Sequence, residues 1–406
     1  MAESLILNNG LRVVLDYCPE LLGVTLAFIV ANGSRDEKQN ESGVSHFLEH
    51  IFFKSNQFCD GEKLMMSFAD LGAKVNAFTS DDSTCYHITV LPENLTSGLK
   101  LLVQMFSPKF LADEFETEKR VILEEIARHN DQPSSVFFED ALTSFFSPHP
   151  AGNSVLGTTE TVAAMTPKMM RDYFKRRYCA KNIIFVVAGQ FNRDDVVCQL
   201  SNFQIGFDNG ASFVERKKLS FAGKVESKIM TRAAINQAHI LLISDAPNAT
   251  SPSRYSLALL GVILGDAIGS RGYWQLLVPA IAEGFSAGFD AKEDCGMFYL
   301  YATTSPANRQ QTLKIMREII DKADDLKQEE LERARAKVIT GLILGQESSY
   351  GRCLRAGYEW FYRGRLVSLQ DEITAYERLT LVDIKNAISQ SGWDRWSEYQ
   401  LVPKTD

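Results

Sequence analysis

The stretch TPKMMRDYFKRRY (166–178), running on into NIIFVVAG (182–189), is where this chain declares its architecture. Thr166 reads as an N-cap and Pro167 as the first helical residue, a position where the missing N–H of proline leaves no bond unmade. A continuous apolar strand then follows. The same unit closes the chain. LTLVDIKNAISQSGWDRWSEYQLVP (379–403) again offers a threonine, Thr380, a helix of matching length and a final strand. Between the two copies the chain restarts with a strand, QAHILLISDA (237–246), a Ser/Pro turn and the helix RYSLALLGVIL (254–264). A fixed unit seen twice indicates duplication. The expected fold is α+β, with two similar domains, each an antiparallel-rich mixed sheet packed with helices on one face. Their expected extents are 1–204 and 224–406, joined by a linker at 205–223 that is rich in Gly, Ser and charge.

The remaining elements follow from local patterns. SLILNNGLRVVLDY (4–17) is two alternating apolar runs around Asn9-Gly10, a hairpin signal, and GVTLAFIVANGSR (23–35) is a third strand. Helical patterns occupy 43–53, 61–71, 93–107, 113–130 and 134–146, with a strand pair at 74–79 and 84–90.

Bulk properties narrow the function classes. The 406 residues carry a net charge of −8, which argues against a broad nucleic-acid-binding surface. Seven cysteines are scattered without a CxxC pair, a usage that fits free thiols in a reducing compartment. The first residues contain no apolar core of a signal peptide, and runs such as SLALLGVILG are far short of a membrane span. The expectation is a soluble cytoplasmic protein with no membrane or nucleic-acid partner.

GVSHFLEHIFF (43–53) carries the chemistry. On a helix, with Ser42 as its expected cap, His46 and His50 lie at i and i+4 on one face, and Glu49 borders that face. Two imidazoles so placed can share one metal ion, with Glu49 near enough to take a proton from water. The order H-x-x-E-H inverts the commoner zinc motif. The bland alternative is a half-buried helix with incidental histidines, since Phe47, Leu48, Ile51 and Phe52 form an apolar stripe. A further ligand is sought on DEFETEKRVILEEIARH (113–129). There Glu118 and Glu125 share a face with Phe115, Val121, Ile122 and Ile126, and buried carboxylates need a cation or a proton. Alone, these two acids fit an irregular amphipathic helix equally well. Glu124, flanked at four-residue spacing by Arg120 and Arg128, reads as solvated.

HFLEH followed at a distance by Glu125 resembles the metal-binding pattern of the pitrilysin, insulinase and mitochondrial processing peptidase family of zinc metallopeptidases. LGAKVNAFTSDDSTCYHITV, NSVLGTTETVAAMTPKMMRDYF, KNIIFVVAGQF, INQAHILLISD and the segment beginning SSYGRCLRAGYEWFYRG resemble family segments in the same order. The length resembles that of the half-size members. The resemblance implies His46, His50 and Glu125 as ligands of Zn²⁺, Glu49 as general base and Glu118 as a supporting acid. It also implies that Asn76, Ala77, Phe78 and Thr79 lie on an exposed edge strand that binds an extended peptide; from the residues alone, an internal hairpin strand is the simpler reading.

Active members place an Arg and a Tyr seven residues apart in the second domain. Here GDAIGSRGYWQLLVPAIAEGFSAGFDAKEDCG (265–296) has no matching pair, and Arg271 is not assigned that role. The resemblance thus implies a zinc-dependent endopeptidase with a peptide substrate and a metal-free second domain. It would act as a homodimer, or as a heterodimer with a related chain supplying the missing Arg and Tyr. The alternative is a non-catalytic or regulatory subunit of a processing-peptidase-like complex. Glycines 265, 269 and 272 match no phosphate loop and read as a turn. His87, His129, His149 and His239 have no partner at ligand spacing.

Overall fold

Six strands build the first unit: β1 (Ala2–Ile6), β2 (Arg12–Tyr17), β3 (Val24–Val30), β4 (Lys74–Thr79), β5 (Thr84–Val90) and β6 (Ile183–Gly189). They form one mixed sheet in the order β1-β2-β6-β3-β5-β4, antiparallel except where β2 runs parallel to β6. The computed structural model describes residues 2–202, 214–233 and 235–404, so 205–213 of the expected linker lie outside the described residues.

Every residue of β3 and β6 is buried, which explains why their sequences are apolar but for Thr25: both faces of a central strand must be covered. Leu26, Phe28, Phe185 and Val187 join a core with the helices Val44–Ile51, Leu95–Met105, Ala112–Asn130 and Pro167–Arg177. Ala27, Ile29, Ile184 and Val186 face the other way, onto Cys353 and Ala356 of the helix Ser349–Arg363. A Cβ on Gly357 would meet Ile29 at 2.5 Å, so the backbone of that helix rests directly on the sheet. Arg352 ties it down with two hydrogen bonds of 2.9 Å to Asp16, and Ser349 bonds Thr25 at 2.9 Å.

The second unit repeats the plan with β7 (Ser227–Arg232), β8 (Ala238–Ala246), β9 (Gly284–Ala291), β10 (Gly296–Thr304) and β11 (Trp396–Pro403), in the order β7-β11-β8-β10-β9. Ile240, Leu242, Phe298 and Leu300 pack with the helices Arg254–Gly265, Arg309–Asp321 and Leu381–Ser389. The opposite face, with Leu241, Ile243, Tyr399 and Leu401, is covered by Phe137, Ala141 and Phe145 of the helix Pro133–Phe146.

Both units are therefore α+β, as expected, but the helices do not stay on one face. Nor do the compact units follow the contiguous extents 1–204 and 224–406. Residues 129–152 belong with the second sheet and 344–368 with the first. The repeated helix–strand unit is present in both: Thr166 accepts the Met169 N–H and Thr380 the Asp383 N–H, each at 3.3 Å.

The helix Val44–Ile51 opens at Gly43, not on a Ser42 side chain. Gly43 sits at φ +90°, where a Cβ would meet Leu156 O at 2.6 Å, so only glycine fits this turn. The capping oxygens come from Glu37, which accepts the N–H groups of Gly43 at 2.7 Å and Ser45 at 2.8 Å. Burial pushes the Glu37 carboxyl up to about 8, against the opposing pull of the N–H bonds from Ser45 and Gly43. An acid raised in the folded state loses stability as pH climbs from its unfolded value of about 4.3 to its folded one. Glu37→Gln removes that titration. Its stability deficit against wild type, measured by urea unfolding, should therefore shrink between pH 5.5 and pH 8.5.

Candidate metal centre

His46 and His50 project from successive turns of the helix Val44–Ile51, with ring centroids 4.8 Å apart. Their Nε2 atoms each lie 3.8 Å from Oε2 of Glu125, on the helix Ala112–Asn130. The two helices are packed by Phe47 stacked on Phe115 at 4.6 Å, with Ile122 and Ile126 buried beyond. Val121, expected on the same stripe, is 40 % exposed. Glu125 is half-buried and Glu124 is exposed, so the two adjacent acids do face different surroundings.

The remaining contacts fix these groups. His50 Nδ1 bonds Glu118 Oε2 at 3.1 Å, and Lys54 Nζ holds the other Glu118 oxygen at 2.6 Å. Burial opposes the charge of Glu118, but the bonds from His50 and Lys54 outweigh it and hold the carboxyl below its ordinary range. With its Nδ1–H donated to this carboxylate, His50 presents the lone pair of Nε2 toward Glu125. His46 is buried, its Nδ1 lacking a hydrogen-bond partner among the described residues, and burial followed by the charge of His50 lowers its pKa to about 4. His46 is thus suited to be a neutral donor.

The donor set fits a zinc ion. A 3.8 Å separation is too long for a hydrogen bond, yet near the roughly 3.4 Å edge of a tetrahedron with bonds of about 2.0–2.1 Å. The three ligating atoms all lie within 4.8 Å of one another. Glu49 stands beside them, its Oε2 accepting from Thr79 Oγ1 at 2.5 Å. Burial raises its pKa, against the opposing pull of the Thr79 bond.

Thr79 ends β4, which among the described residues pairs only with β5 and so leaves one backbone edge of the sheet open there. Asn76 is exposed on this strand, Ala77 buried and Phe78 partly buried. Among the described hydrogen bonds, Thr79 is the one of these four joined to the histidine–glutamate group. Sequence reasoning missed Lys54, Glu37 and the Thr79–Glu49 bond. The i, i+4 spacing of His50 and Lys54 carried a signal for the first; the other two join separate segments.

In the second unit Arg271 is committed to structure, pairing with Glu330 and bonding the carbonyls of Lys322 and Asp325. His239 bonds Tyr301 at 2.8 Å and His129 pairs with Glu139 at 2.7 Å. His149, which has no partner at ligand spacing in sequence, does meet Asp294 and Cys295 in space. Ala151 N–H donates to its Nδ1 at 3.2 Å, placing the ring proton on Nε2, 3.6 Å from Asp294. That tautomer favours a buried polar network over a ligand.

A family model described as insulinase (peptidase family M16) matches residues 12–159, and one for the peptidase M16 inactive domain matches 164–338. The chain belongs to peptidase family M16. Among its M16 relatives is a protein of Mycobacterium leprae named an uncharacterized zinc protease, 27% identical, the match covering 94% of this chain and 87% of that one. The uncharacterized zinc protease YmxG of Bacillus subtilis is also 27% identical, with 94% of each chain covered. The fold is shared with a solved peptidase M16 inactive domain from Pseudomonas fluorescens (TM-score 0.90, 18% identity, 100% of this chain and 98% of that one). It is shared too with a protease from Helicobacter pylori (TM-score 0.87, 20% identity, 99% of each). No helix among the described residues is long and apolar enough to cross a membrane.

A ligand that binds only the folded state stabilises it by mass action, by about 2.7 kcal/mol at a hundredfold excess over Kd. Added Zn²⁺ should therefore raise the unfolding temperature of the wild-type chain in calorimetry. The His46→Ala/His50→Ala double variant should show no such rise.

Proposed function

We propose that this M16 chain is a zinc-dependent endopeptidase that cleaves extended peptides. The observation that carries the reading is the convergence of both histidine Nε2 atoms on one Glu125 oxygen, with Glu49 alongside. The names of the M. leprae and B. subtilis relatives support it.

His46, His50 and Glu125 would hold the ion, which when bound supplies a Lewis acid that acidifies water and polarises a peptide carbonyl. Glu49 is the proton carrier. Thr79 occupies its Oε2, leaving Oε1 to take the proton from the attacking water and pass it to the departing amine. Glu118 holds the ring and tautomer of His50 through Nδ1. The open edge of β4, with Asn76, Ala77, Phe78 and Thr79, pairs with the main chain of an extended substrate, which gives affinity with loose sequence demands.

A second reading has one specific feature behind it. Residues 265–296 lack the Arg and Tyr pair that the family resemblance implies for active members, and Arg271 is tied to Glu330. A homodimer, a heterodimer with a related chain that provides those groups, or a non-catalytic subunit accommodates that absence. Free thiols at all seven cysteines support a cytoplasmic setting.

The deciding assay is cleavage of a quenched-fluorescent peptide library by the purified chain, with Glu49→Gln in parallel. Under the peptidase reading the variant keeps its zinc and loses turnover by about 10²–10⁴-fold. A wild-type chain that holds one zinc and cleaves nothing would shift the assignment to the partner-dependent or non-catalytic reading.

A further inference from the structure

The turn that leaves the histidine helix is gripped from a second helix at two points. Glu118 and Glu114 lie one turn apart on the helix Ala112–Asn130. Glu118 Oε1 takes Lys54 Nζ at 2.6 Å, while its Oε2 faces His50 Nδ1 at 3.1 Å. Glu114 takes the next residue: its Oε1 accepts Ser55 Oγ at 2.6 Å and its Oε2 accepts Ser55 N–H at 3.1 Å. Lys54, Glu114 and Glu118 line one cleft of about 470 Å³, together with Phe53, Met65 and Thr117.

From these contacts we propose that Lys54 is a positioning residue for the metal centre, locking Glu118 and, with the Ser55–Glu114 bonds, setting the register between the two ligand-bearing helices. Glu125 lies seven residues beyond Glu118, two turns or roughly 10.5 Å along the same helix. The clamp at one end and the Phe47–Phe115 stack beside it therefore determine whether Glu125 arrives opposite His46 and His50. Lys54 also divides the Glu118 carboxylate between two partners. One oxygen is held by the ammonium, so the other stays aimed at His50. Without the lysine, a carboxylate that is 6 % exposed keeps His50 as its hydrogen-bond partner and can swing between its two oxygens. Apolar packing alone leaves the second helix free to shift along its axis, whereas a charged, two-point grip does not.

This inference rests on the zinc reading of His46, His50 and Glu125, and its test keeps the two apart. Zinc affinity of the full chain is measured by competition with a chromophoric chelator, for wild type, Lys54→Met and Lys54→Arg, with the unfolding temperature of each metal-free protein. Loss of a group that orients a ligand typically weakens metal binding by about 10–100-fold. The expected result is a loss of that size in Lys54→Met and recovery to within about threefold in Lys54→Arg; the metal-free unfolding temperature of Lys54→Met falls, because the buried Glu118 carboxylate keeps one partner fewer, and that of Lys54→Arg stays with wild type. Unchanged affinity in Lys54→Met overturns the proposal while leaving the metal site standing. A wild-type chain that binds no zinc overturns both. If Lys54→Met does not fold, Lys54→Gln is read by the same criteria.

Discussion

A carboxylate cannot be buried among apolar side chains unless something answers its charge, and in the first unit that demand falls on Glu118. It is met twice, by the ammonium of Lys54 and by the imidazole of His50. The second answer is the one with chemical consequences. A histidine that donates its Nδ1–H to a carboxylate has a fixed tautomer, a fixed ring plane and a lone pair with one direction left to point. Around that pair the rest is geometry. His46 is one turn back on the same helix, and Glu125 is two turns forward on the partner helix.

The proposed base is held by a separate device. Glu49 belongs to the histidine helix, but its hydrogen-bond partner, Thr79, is the last residue of the open-edged strand. The strand proposed to receive a peptide and the acid proposed to move its proton are thus linked by one short bond. A change in the path of β4 is transmitted to the carboxylate without passing through the proposed metal ligands. At the other end of the helix, Gly43 and Glu37 supply the backbone turn and the capping oxygens. The histidine helix is short, and its neighbours hold it at its start, along its side and just past its end.

Much of this was legible in the residues. The duplicated helix–strand unit, the hairpin at Asn9-Gly10, the strand pair at 74–79 and 84–90 and both threonine caps follow from local chemistry, and local chemistry is what a single sequence records. The spacing of His46, Glu49 and His50 marks one helical face, and the structure brings Glu125 to it. What escaped were the long-range partners. Glu37 replaces Ser42 as the cap because Gly43 turns the backbone away from the usual geometry, and nothing near Ser42 in the sequence announces that. The meeting of His149 with Asp294 and Cys295 depends on a helix end and a hairpin turn from distant parts of the chain. The helical cover on the second face of each sheet was hidden for the same reason. The expectation put helices on one face, and no local pattern marks the helices Pro133–Phe146 and Ser349–Arg363 as the cover of the other.

That cover bears on how the chain is made. The strands of the first sheet are complete once residue 189 has been synthesised, yet Ala27, Ile29, Ile184 and Val186 wait for Cys353, Ala356 and Gly357, some 160 residues later. Until then a growing chain carries a finished sheet with one greasy side bare, the kind of surface that invites aggregation or a chaperone. A fragment ending near residue 204 would keep all the proposed ligands and still lack this cover. The proposed ligands are encoded early, and the cover for the sheet beside them more than two hundred residues later.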